Sequence, residues 1–134
     1  MEAPAVVAVV NTNPDVVWML RLALQKAGFI VVTAHIEEIK DGTIDIESFL
    51  KEHDPKVIVY DVVPPYDQNW RFLDHLRLAT GFKGRQFVLT TVNEDRLDEV
   101  VGIEESVYEI AGEAKDIDAI VRAVKEASRS RPTR

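Results

Sequence analysis

Four short runs of apolar residues, at 5–10, 29–33, 57–60 and 86–90, punctuate this chain. Runs of this length, rich in valine and isoleucine, read as strands buried on both faces of a parallel sheet. Between them the apolar residues recur every three or four positions, the spacing of helices with one inward face. The first such stretch places Val17, Leu20, Leu24 and Ala27 on one side. It opens at Asn13 and Pro14, a helix cap and a first-turn proline, and stops at Gly28.

The same pattern predicts helices at 46–53, 69–79, 94–101 and 116–127, and a short fifth strand at 107–110. Asp54-Pro55 ends the first of these, and Gly81 the second. Residues 34–42 are polar and read as irregular. Strands alternating with helices imply right-handed crossovers and a sheet covered on both sides. The expected fold is therefore α/β, flavodoxin-like and doubly wound, with five parallel strands in the order 2-1-3-4-5 and five helices. In that order the residues following strands one and three meet in a cleft at a switch point. Those residues are Asn11-Thr12 and Asp61, and Thr90-Thr91 flank them after strand four.

Composition narrows the picture. The chain has 134 residues, 46% of them hydrophobic and 29% charged, consistent with one globular domain. The expected division is a domain over 1–127 and a basic, disordered tail or linker start over 128–134. A net charge of −7 argues against a nucleic-acid-binding face. No apolar run is long enough to span a bilayer, and the N-terminus lacks the pattern of a signal peptide. With no cysteine, disulfide and thiolate chemistry are excluded. A cytoplasmic location is the resulting expectation. His35, His53 and His75 lack metal-ligand spacing and read as surface or helix-end residues. Trp70 follows the Asp61 loop and reads as an exposed partner contact or a lid over the cleft.

From residue 5 to about residue 127 the chain resembles the receiver domains of response regulators, the CheY-like family of two-component signalling. Asp61 falls at the family's phosphoacceptor position. Pro65 follows it in the family's Asp-x-x-x-Pro loop, and Thr91 falls at the switch Thr/Ser, both without a gap. The resemblance implies an acid pair after strand one that holds magnesium, and a lysine after strand five that neutralises the phosphoryl oxygens. Here the acid pair is replaced by Asn11 and Thr12. Glu113 stands at the lysine position, or Ala111 in a shifted register, and Lys115 fits neither.

No resident metal or other cofactor is expected. A weak magnesium site would draw on Asp61, the amide oxygen of Asn11 and the backbone carbonyl of Val63. Asp15 is the nearest acid to the vacated pair but lies about one helical turn off. A glutamate about 5 Å from a phosphoryl group would repel it by roughly 3 kcal/mol at an effective dielectric of 20. Asp61 and Thr91 are then expected to persist as structure, the carboxylate accepting a hydrogen bond from Thr12 or Thr91.

The leading expectation is an atypical receiver that works by protein contact without phosphorylation and is not an enzyme. Its partner, or a second copy, is expected on the face formed by helix 94–101, strand 107–110 with Tyr108 and Ile110, and helix 116–127. A receiver still phosphorylated on Asp61 is the second reading. A small flavodoxin-like enzyme or nucleotide binder is the third.

Overall fold

In the strands, alternate side chains feed two cores. Ala8, Val10, Ile58, Tyr60, Phe87 and Leu89 enter one, and Val7, Val9, Val57, Val59 and Val88 the other. This is the period of two expected where both faces of a sheet are covered. The strands are β1 (Val6–Asn11), β2 (Ile30–His35), β3 (Val57–Asp61), β4 (Gln86–Thr90) and β5 (Tyr108–Ile110), all parallel in the order 2-1-3-4-5. The computed structural model describes residues 4–78, 84–101, 108–110 and 116–129.

Two helices, α1 (Pro14–Lys26) and α6 (Ile117–Arg129), cover the valine-rich face through Val17, Leu20, Leu24, Ile120 and Val124. The opposite face carries α2 (Ile36–Lys40), α3 (Ile46–His53), α4 (Tyr66–Arg77) and α5 (Glu94–Val101). Fully burying a leucine such as Leu20 contributes roughly 1.5–3 kcal/mol, so each helix is held mainly by its inner stripe.

Local chemistry sets the helix ends. The Asn13 side chain accepts from the amides of Asp15 and Val16, and Pro14 suits the first turn of α1. Gly28, at φ +100°, ends that helix in a backbone conformation that side chains resist. At the end of α3, Asp54 is left-handed (φ 46°), and Arg85 ties this corner to the start of β4. Its guanidinium donates to Asp54 Oδ1 (2.8 Å) and to the carbonyls of Pro55 (2.7 Å) and Leu50 (3.3 Å).

Four local expectations are corrected. Residues 34–42 are not irregular: β2 continues to His35, and a sixth helix, α2, follows, seated by buried Ile36 and Ile39. Helix α4 begins at Tyr66 and not at residue 69, because Pro65 supplies its entry and Tyr66 is buried. Trp70 is buried on the inner face of α4 rather than exposed. Helix α6 continues to Arg129. Residues 111, 113 and 115, with the sequence before Tyr108 and the end of the tail, lie outside the described residues, as do the side chains of Tyr108 and Ile110.

Candidate functional site

Strands β1 and β3 are neighbours, yet the helices that follow them leave for opposite faces, α1 to one and α4 to the other. The chain therefore parts at the C-terminal ends of these strands, and Asn11 and Asp61 sit at the parting. Both are buried, at 2% and 8% exposed, which makes every remaining hydrogen bond there matter.

Asp61 stands opposite Thr90 in the β3–β4 register. Neighbours in a parallel pair put their side chains on the same face, and the Thr90 hydroxyl donates to Asp61 Oδ1 at 2.6 Å. The Thr90 carbonyl also accepts the Val62 amide at 2.9 Å, so one residue clamps the β3 terminus by backbone and side chain. This corrects the expected hydrogen bond from Thr12 or Thr91. Thr91 has the opposite strand parity; its hydroxyl meets the Tyr66 hydroxyl (3.2 Å) and accepts the Asn93 amide (3.3 Å). Counting along the chain marked Thr91, whereas the pairing register picks out Thr90.

Asn11 is turned on its own backbone. Its Oδ1 accepts the amides of Thr12 (2.7 Å) and Asn13 (2.9 Å), a compact turn that leads into the α1 cap. The Val63 carbonyl accepts Asn69 Nδ2 at 2.7 Å, from the first turns of α4. Asp15 stays exposed in the first turn of α1.

A hard divalent ion needs several oxygens free to converge on it, preferably anionic ones. Among the described residues Asp61 is the single carboxylate at these strand ends, one of its oxygens already accepts a hydroxyl, and the Asn11 and Val63 oxygens each accept internal donors. Among the described residues no group of three His, Cys, Asp or Glu side chains is placed to hold a metal ion. The donor set does not fit a magnesium ion.

Burial pushes the Asp61 carboxyl above its ordinary value of 3.8, and the Thr90 hydroxyl pulls the other way. Tyr60 beside it is pushed up as well, by burial and then by the charges of Asp61 and Glu37, so its phenol stays neutral. A raised carboxyl means that the folded state holds its proton more tightly than the unfolded chain does. This contribution to stability is fully present below the unfolded value and is lost as pH rises through the folded one. Asp61→Asn removes that titration yet keeps an oxygen for Thr90. The stability of the variant relative to the parent should therefore grow between about pH 4 and about pH 7. Urea midpoints at both ends of that window measure it, and a constant difference would contradict the assignment.

No protein-family model matches the sequence, and no curated protein matches it either. Solved structures do match. The chemotaxis protein CheY4 of Vibrio cholerae superposes with a TM-score of 0.65 at 20% identity, covering 93% of this chain and 99% of that one. The fold is that of the CheY-like receiver domains. A response regulator receiver domain protein from Bacillus halodurans C-125 gives a TM-score of 0.66 at 14% identity, over 95% of this chain and 99% of its own. The receiver domain of nitrogen regulatory protein C gives 0.69 at 20%, over 95% and 96%. The match spans 96–99% of those three structures, so the shared fold extends over nearly their whole length.

Proposed function

We propose that the protein is an atypical response-regulator receiver domain in two-component signal transduction, acting by protein contact without phosphorylation of Asp61. The observation that carries this reading is the hydrogen bonding around Asp61. Thr90 occupies one carboxylate oxygen, and the neighbouring oxygens of Asn11 and Val63 are committed to their own chain. A phosphoryl group arriving at Asp61 meets, among the described residues, no anionic pair to seat a metal counter-charge. The receiver fold is a signalling module, and a role in binding rather than catalysis accords with it. No described helix is long and apolar enough to cross a membrane. The face built from α5, β5 and α6 remains the proposed partner surface.

A receiver still phosphorylated on Asp61 is the second reading. One fact favours it: among the described residues the second carboxylate oxygen has no hydrogen-bond donor. Incubation with magnesium and either a small phosphodonor or beryllofluoride, followed by intact mass, decides between them. The expected result is an unmodified chain. A stoichiometric adduct that disappears in the Asp61→Asn variant would overturn the proposal.

A further inference from the structure

Helix α1 is apolar on both sides. Val17, Leu20 and Leu24 face the core, but Trp18, Met19 and Leu22 are 58%, 43% and 48% exposed on the opposite side. A helix with apolar residues around most of its circumference is normally covered on both faces. At 100° per residue, Asp15, Met19, Leu22 and Lys26 fall in one outward line, with Trp18 alongside. Their spacing of four, three and four is that of a helix–helix seam. The seam has an acidic end and a basic end. Asp15 and Lys26 are both exposed, and among the described residues neither side chain has a partner.

We propose that this stripe is a self-association surface, on which α1 of a second copy packs antiparallel about a two-fold axis. The charge pattern selects the occupant and its direction. A two-fold axis between Leu20 and Arg21 sets Met19 against Leu22 of the other copy, and Asp15 against Lys26, each contact occurring twice. A parallel pair would oppose like charges at both ends. The helix is about 20 Å long, and the covered area is on the order of 600–800 Å² in total, below a standard stable interface. The dimer is therefore weak, with a Kd of roughly 10–100 µM. The surface does not involve the Asp61 site, and the inference stands apart from the proposed loss of phosphorylation.

Sedimentation equilibrium of the full chain between about 1 µM and about 1 mM tests it. The mass should rise from monomer toward dimer, and Leu22→Glu should hold it at monomer while circular dichroism stays that of the parent. Asp15→Lys and Lys26→Glu should each weaken self-association by about tenfold, since each opposes like charges twice. Mixing those two variants restores both attractive pairs, so the mixture should associate as the parent does. A monomer throughout the range overturns the proposal, as does a dimer indifferent to Leu22→Glu. Two variants that stay apart when mixed overturn the antiparallel arrangement on which it rests.

Discussion

A Leu73→Ala chain is expected to unfold about 3–4 kcal/mol more readily than the parent, read from urea unfolding at neutral pH. Leu73 is fully buried on α4, between Trp70 and Leu76 on the inner face of that helix. Removing its side chain forfeits the transfer energy of three carbons and leaves a cavity that the surrounding strands cannot fully close. Against a total stability of about 5–15 kcal/mol, the loss is a large share. The same helix carries Asn69, whose amide holds the Val63 carbonyl, and Tyr66, which meets Thr91. The cavity is therefore expected to loosen the Asp61 loop as well, visible as faster amide exchange at Val62 and Val63. A loss below about 1 kcal/mol would show that α4 is not seated by this stripe.

Thr90→Val should cost about 2–3 kcal/mol at neutral pH, while Thr90→Ser should cost much less. Valine keeps the shape of threonine, so the packing of β4 survives and only the donor to Asp61 is lost. That donor favours the ionised carboxylate. Without it the carboxyl rises further, and the cost should be larger at about pH 7 than at about pH 3, where the group is mostly protonated in the unfolded chain as well. Thermal or urea unfolding of parent and variant at the two pH values measures the difference. A cost equal at both would assign the effect to packing instead.

Strands were the legible part of this chain because burial on both faces leaves few polar residues in them. The runs ending at Tyr60 and Thr90 show this: β4 matches its predicted bounds, and β3 extends only to Asp61. Helices α3 and α5 also match, each marked by a strong apolar stripe between polar ends. Helix α2 was missed because a five-residue helix has room for only one apolar pair, Ile36 and Ile39, set among charged residues. The exposed reading of Trp70 failed because its neighbours in the sequence are polar, whereas its neighbours in space are one helical turn away.

At the site, sequence placed Asn11 and Asp61 together because topology alone brings those strand ends to one crevice. It did not place the Thr90 hydroxyl on Asp61, since that depends on how β3 and β4 slide into register. A shift of one residue would have turned Thr91 toward the carboxylate instead. Nor could it show that the Asn11 and Val63 oxygens were already taken, because those bonds depend on the turn before α1 and on where α4 begins.

The strand order also sets a timetable for synthesis. Of these five strands the first to leave the ribosome is an interior one: Val7 must await Val31 on one side and Val57 on the other. No hairpin is available to shield it meanwhile, since parallel neighbours are joined only through intervening helices. A nascent chain thus exposes a sticky valine-rich segment until Val57 has been made. The early helix α1, closing over that segment from its own local sequence, is the first cover the growing polypeptide has to offer.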